Sequence, residues 1–343
     1  MGKPRASRGG RTTIRDLAAR AGTSVSTASL VMNGTWERYR ITRTTADRVR
    51  TAAAEIGYAP NPRAQALRTR RSALAGMIVP HHRNRFFAGL AESFEARARD
   101  LDLVPIVVST QRDLATEQAV ARTLVAQEVE ILILAGTEDP TAINRLCRAS
   151  GIWCVNVDLP GPEAFSVVSD NRNGANHLTA RLLAHGEGPV VFLGGREGEY
   201  ATEERVAGFL AACDAAGRAR ADIRILRCGY RADDACIALS ELLDAGPFPP
   251  ALLINSITAF EGFASFWQAE GSRIGRPNLA CFDWDPLAAC LPLPIIMLRQ
   301  NVEALIGACF DRFAADGDET GGLMLIPPSV ALDRLDDTQS PHP

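Results

Sequence analysis

The chain has 343 residues, 46% hydrophobic and 22% charged, with a formal net charge of −3; that length predicts two or three soluble globular domains. No apolar run approaches the ~18 residues that span a bilayer, and the basic start through Arg11 lacks the apolar core of a secretory signal. Eight cysteines without a CxxC pair read as reduced thiols of a cytoplasmic protein, so a membrane protein and a secreted disulfide scaffold are excluded.

The charge is unevenly placed. Residues 1–72 carry 15 Lys+Arg against 4 Asp+Glu, whereas the remaining 271 carry 22 against 36, which predicts a nucleic-acid-binding head on an acidic body. Residues 1–11 read as a disordered basic arm. From Thr12 onward Ile14, Leu17, Ala18 and Ala21 follow the buried stripe of a short helix, capped by Thr12 or Thr13 and ended by Gly22. Ser24 caps a second helix over Val25–Met32, with Ala28, Val31 and Met32 inward and Val25, Ser26, Ser29 and Leu30 outward. Two short helices joined by a Gly-containing turn predict a helix-turn-helix, whose second helix meets base edges with its N-terminal residues. The long stretch Gly34–Arg40 reads as a loop with a tucked Trp36; a wing against the DNA backbone is the alternative. A third helix, capped by Thr42, carries Ala46, Val49, Ala53 and Ile56 inward and ends at Gly57. Asn61 and Pro62 then start a helix of about two turns, too short to be stable without a partner surface.

The runs TTIRDLAARAGTSVSTASLVMNG and AEIGYAPNPRAQALRT resemble the head and hinge of the lactose-repressor (LacI/GalR) family of transcription regulators. The resemblance implies a helix-turn-helix DNA-binding domain over 12–60, a hinge helix and linker over 61–72, and an effector-binding and dimerisation domain over 73–343. It places Arg15, Val25, Ser26 and Leu30 at base- or groove-contacting positions. Thr13, Ser24, Thr27, Ser29 and Asn33 fall at mainly backbone-contacting ones. Asn61 opens the hinge helix, and Ala64 and Leu67 match positions that enter the minor groove, where paired leucines wedge a base step. Leu30 and Ala46 depart from the arginines common at those positions.

In the body, short β runs alternate with helical stretches. The predicted strands are Leu74–Val79, Val104–Val108, Glu130–Leu134 and Trp153–Val157, then Val190–Leu193, Ile223–Cys228, Leu252–Asn255 and Leu279–Phe282. The predicted helices are Phe86–Arg99, Thr116–Gln127, Thr141–Ala149, Gly174–His185, Glu203–Ala216, Asp233–Leu243 and Ala259–Ala269. This alternation predicts an α/β fold of two doubly wound parallel-sheet subdomains around a cleft. The first spans about 73–160 plus returning C-terminal segments, and the second about 161–290.

The stretches SVVSDNRNGANHL, FLGGREGEYATEERVAGF, ALLINSITAFEG and ACFDWDP extend the same resemblance to a periplasmic-binding-protein-like sugar sensor. It implies effector-cleft positions for Asp158, Arg205, Asn255, Asp283 and Gln300, with Tyr230 as an aromatic wall. Such a set suits a polyol, because carboxylates accept from hydroxyls while Arg and Asn donate. Arg85 and Phe86 follow the first strand. Arg85 and Arg112 add positive charge near the cleft mouth, which leaves a sugar phosphate open beside a free sugar; as single residues, Arg205 also reads as a surface ion pair and Asp283 as a loop cap.

The partners implied are near-palindromic double-stranded operator DNA, a sugar or sugar-phosphate effector and a second copy of the chain, with no membrane. No cofactor and no metal is implied: GGREG is neither GxGxxG nor a P-loop, and His81-His82 lacks further ligands at metal spacing. A sugar-acting enzyme with an incidental basic arm and a DNA-architectural protein are the competing readings.

Overall fold

The computed structural model describes residues 12–59, 72–315 and 321–336, and the chain divides into two compact units at Ser72/Ala73. Asn61, Ala64 and Leu67 lie outside the described residues.

In the first unit α1 (Ile14–Arg20) opens on a capping box. The Thr13 hydroxyl accepts from Asp16 N, and the Asp16 carboxylate accepts from Thr13 N. Ser24 and Thr42 cap α2 (Val25–Met32) and α3 (Arg43–Glu55) through the amides of Thr27 and Thr45. Leu17, Ala18, Ala28, Val31, Ala46, Val49 and Ala53 close the core; these small side chains let three short helices cross. Ala46 is fully buried, so it is a core position here and makes no phosphate contact. The 34–40 stretch is neither a plain loop nor a strand-built wing: residues Trp36–Tyr39 form one 3-10 turn, with Trp36 packed on the core.

The second unit holds two six-stranded sheets. β1 (Leu74–Val79), β2 (Val104–Ser109), β3 (Ile131–Ala135), β4 (Trp153–Val157), β5 (Phe165–Ser169) and β11 (Leu323–Ile326) form the first, in the order β11-β5-β4-β3-β1-β2, with every pairing parallel. β6 (Val190–Leu193), β7 (Ile223–Leu226), β8 (Ala251–Ile254), β9 (Asn278–Cys281), β10 (Ile295–Arg299) and β12 (Ser329–Asp333) form the second, in the order β12-β10-β9-β8-β6-β7. There β12 runs antiparallel to β10. The continuous apolar runs of β3 and β6, buried throughout, are those of strands covered on both faces; β4 is equally buried but carries Asn156.

Helices α4 (Arg85–Asp100), α5 (Leu114–Ala126) and α6 (Thr141–Ala149) serve the first sheet. Helices α7 (Asn171–Ala184), α8 (Tyr200–Ala215), α9 (Ala232–Asp244) and α10 (Ile257–Ile274) serve the second. α11 (Val302–Ala314) returns to the first, where Leu305, Ile306, Cys309 and Phe310 join the core of Phe87, Leu90 and Phe94. The subdomain limits therefore shift from those expected. β5 belongs to the first sheet, which moves the crossing from about 160 to Asp170, and β10 carries the second past 290 to Arg299. Gly208 on α8 lets α7 approach closely, since a Cβ there would meet the Arg172 carbonyl oxygen at 2.1 Å. Among the described residues no helix is long and apolar enough to cross a membrane.

Candidate functional site

Strand ends in such sheets face a crevice, and here they line one cavity of about 690 Å³. The first subdomain contributes Asp158, just after β4, and Arg85 and Phe86 at the start of α4. The second contributes Arg205 from α8, Tyr230 after β7, Asp283 after β9 and Gln300 after β10.

Arg205 is 3% exposed and is no surface ion pair. Its Nε donates to Asn171 Oδ1 at 2.8 Å and its Nη1 to the Asn255 carbonyl at 2.5 Å. Its guanidinium carbon lies 3.7 Å from the Phe282 ring centroid. This buried arginine is held by neutral acceptors and an aromatic face, and two bonds leave further N–H donors available. Asp283 is no simple loop cap either: it accepts from Ile257 N at 3.1 Å and from Gln300 Nε2 at 2.7 Å. The Gln300 carbonyl in turn accepts from Ser169 Oγ at 2.6 Å, tying the end of β5 to the end of β9.

Asp158 is placed differently. It is 9% exposed, has φ +74°, and its carboxylate has no hydrogen-bond or ion-pair partner among the described residues. Burial pushes its carboxyl up to about 7, with Arg205 pulling down and Glu199 and Asp283 pushing further up. An unpartnered acid at a left-handed backbone position is a costly arrangement, of the kind that clusters at ligand sites.

Three of the other cavity arginines are already engaged. Arg85 pairs with Asp285, and Arg112 reaches the Gly136 carbonyl at 3.0 Å and Glu138 at 3.4 Å. Arg196 pairs with Glu138 at 2.6 Å and Glu199 at 3.4 Å and lies over the Tyr230 ring. The Arg85–Asp285 and Arg196–Glu138 pairs bridge the two subdomains. Tyr230 donates to Glu199, which also accepts from the Thr202 hydroxyl at 2.6 Å. Burial, followed by the Glu199 charge, pushes the Tyr230 phenol well above its ordinary value, so it stays a neutral donor.

Of the expected cleft residues, Asn255 is the exception. It is fully buried, its side-chain oxygen and nitrogen have no hydrogen-bond partner among the described residues, and it does not line the cavity. Consecutive residues at a strand end point oppositely, so Ser256 faces the cavity and Asn255 packs behind it against Gly194 and Gly195. Glu199, Arg196 and Asp285 line the cavity and were not anticipated. Glu199 is the N-cap residue of α8, a position that the Gly-rich turn before it only signals as a helix start.

On the head, Arg15, Val25 and Ser26 are exposed, and Thr27, Ser29, Leu30 and Asn33 are half-buried. Thr13 donates its hydroxyl to Asp16 at 2.7 Å, and the Ser24 and Thr27 hydroxyls lie 2.9 Å apart. Asn33 donates to Ser29 Oγ at 3.2 Å. Arg15, Val25 and Ser26 are therefore the members of the expected set most free to meet DNA. Among the described residues no group of three or more His, Cys, Asp or Glu side chains could hold a metal ion.

Residues 72–276 match the family described as periplasmic binding proteins and sugar binding domain of the LacI family, and residues 13–61 match bacterial regulatory proteins of the lacI family. The ribitol operon repressor of Klebsiella aerogenes is 40% identical over 190 residues, covering 54% of this chain and 70% of that protein. The sucrose operon repressor of Klebsiella pneumoniae is 26% identical over 303 residues, covering 88% and 91%. Both are named as repressors rather than as enzymes. The lac repressor dimer bound to operator and the anti-inducer ONPF shares the fold, with a TM-score of 0.82 at 20% identity over 95% of this chain and 99% of that one.

Proposed function

Because this chain belongs to the LacI family of bacterial regulatory proteins, we propose that it is a homodimeric transcriptional repressor of the cytoplasm, not an enzyme. Its affinity for a near-palindromic operator is controlled by an unphosphorylated polyol held in the cleft. Arg15, Val25 and Ser26 read the major groove, and the other head residues named above position the helix on the backbone. Asn61, Ala64 and Leu67, outside the described residues, act as the hinge that enters the minor groove.

The observation that carries the choice of effector is the unpartnered Asp158 carboxylate in a cavity where Arg85, Arg112 and Arg196 already have carboxylate partners. A phosphate dianion would sit beside Asp158, Asp283 and Glu199; among the described residues Arg205 is the buried cavity arginine uncommitted to an acid, and the exposed Arg83 also lines the cavity without an acid partner. A polyol instead donates hydroxyls to Asp158 and Asp283 and accepts from Arg205, which suits every group present. The relative named for a ribitol operon supports an acyclic pentitol as the first candidate.

A ligand held by Asp158 from one subdomain and by Asp283 and Arg205 from the other favours one orientation of the two. Operator affinity then shifts by the difference in ligand affinity between orientations, about 1–3 kcal/mol or roughly 5–150-fold. Calorimetric titration of the full chain with ribitol, other pentitols, free hexoses and their phosphates tests the choice. Saturable heat from a neutral polyol and none from phosphates is expected. Binding confined to phosphorylated sugars contradicts it.

A further inference from the structure

We propose that the turn Trp36–Tyr39 is a second DNA-contacting element of the head, holding Arg38, Tyr39 and Arg40 against the sugar–phosphate backbone beside the groove that α2 enters. The inference rests on the DNA-binding reading of the head and extends its footprint.

The turn is fastened at both ends. Trp36 and Ile41 pack on the head core, and Ile41 N donates to the Trp36 carbonyl at 3.2 Å. Arg50 lies over the Trp36 ring at 5.8 Å. Arg40 takes a left-handed φ of +53°, and its amide donates to the Glu37 carbonyl at 3.1 Å. Between the anchors Arg38, Tyr39 and Arg40 are all exposed, Tyr39 at 64%. Fixing such groups before an encounter removes much of the ordering cost of binding.

The charge distribution names the partner. Among the described head residues Arg20 pairs with Glu55 and Arg50 with Asp47, and the Asp16 carboxylate is engaged in the capping box. Arg38, Arg40 and Arg43 have no ion-pair partner among the described residues and fall within six consecutive residues, with Glu37 the one acid beside them. Two guanidinium groups flanking a phenol are phosphate donors that carry no sequence information. An aromatic left this exposed is uncommon on the head, where Val25 at 43% is the other large exposed apolar side chain.

Position agrees with composition. Thr35 donates from both its amide and its hydroxyl to the Leu30 carbonyl, so the turn leaves directly from the C-terminal end of α2. An eight-residue helix is about 12 Å long, about the width of the major groove. With its N-terminal residues at the base edges, its far end and the turn beyond reach the phosphates at the groove margin.

The test is fluorescence anisotropy of the full chain on two 30-base-pair duplexes across a salt series. One duplex is selected from a random pool by the wild-type protein, and the other is unselected. R38A/R40A is expected to weaken binding to both by the same factor. The plot of log affinity against log salt becomes shallower by about 0.9 for each phosphate that is no longer neutralised. R38K/R40K restores the slope, and Y39F weakens binding without changing it. An R38A/R40A variant with wild-type affinity and slope overturns the proposal while the helix-turn-helix reading stands. A wild-type chain that enriches no sequence from the pool and does not bind the unselected duplex overturns both.

Discussion

The Arg205 guanidinium lies 3.7 Å from the Phe282 ring centroid and has no carboxylate partner among the described residues. This geometry needs a planar cation, since stacking and the two bonds to Asn171 and Asn255 use different directions of one fork. Lysine keeps the charge but supplies neither. Arg205→Lys is expected to lower effector affinity about 10–100-fold, the range of one charged hydrogen bond. DNA binding without effector should persist. Calorimetry showing wild-type affinity in this variant would remove Arg205 from the site.

Asp158 is expected to make effector binding pH-dependent. Its carboxyl, raised by burial to about 7, binds more protons in the ligand-free fold than in the unfolded chain between its ordinary range and pH 7. From this group alone, stability falls as pH rises through that window, and hydroxyl donors on the carboxylate reverse the effect. Effector affinity should therefore rise between about pH 6 and 8, with proton release on binding. Asp158→Asn, which tolerates the same positive φ, should flatten the profile and unfold at higher temperature at pH 8. A steep profile surviving in this variant would assign the proton elsewhere.

The two bridges across the cleft should matter less than their number suggests. Arg196 and Glu138 are 40% and 53% exposed, and exposed pairs contribute about 0.2–1 kcal/mol. Glu138→Ala should weaken effector binding by no more than about fivefold, and the difference should vanish at high salt. A loss as large as that of Arg205→Lys would show the bridge to be a principal support of the closed cleft.

Much of the head was legible because its signals are local. Caps at Ser24 and Thr42 sit beside apolar stripes of helical period, and both helices begin where these residues point. The body was legible as alternation, but β5, β10, β11 and β12 were not assigned. The clearest case is β11, which owes its state to a partner far away in the chain: it pairs with β5 across more than 150 residues. α7 begins at Asn171, capped by Asp170, rather than at Gly174, because tertiary contact overrides glycine's weak helix propensity. Asp158 and Arg205 were recognisable only through family resemblance, since nothing local distinguishes an acid aimed at a cavity from one at the surface. Asn255 failed on a single step of strand alternation, which no local pattern at the end of β8 resolves.

Close crossing of α7 and α8 predicts the sign of Gly208→Ala. In a helix this change gains about 1 kcal/mol by propensity. The new methyl would stand 2.1 Å from the Arg172 carbonyl oxygen, and forcing the helices apart costs about 1–3 kcal/mol or more. The clash wins, so thermal unfolding should shift down by a few degrees. A raised midpoint would mean that the helices are not in backbone contact.

A neutral polyol bound through Asp158, Arg205 and Asp283 is expected to change operator affinity. The direct measurement is anisotropy of a selected operator duplex at fixed salt and pH 7.5, titrated with ribitol and with ribitol 5-phosphate, for wild type and Arg205→Lys. A saturable shift of roughly 5–150-fold is expected with the neutral polyol for wild type, and none with the phosphate. For Arg205→Lys the midpoint should move to higher polyol concentration. A shift produced by the phosphate alone, or one that Arg205→Lys leaves unchanged, would contradict this expectation.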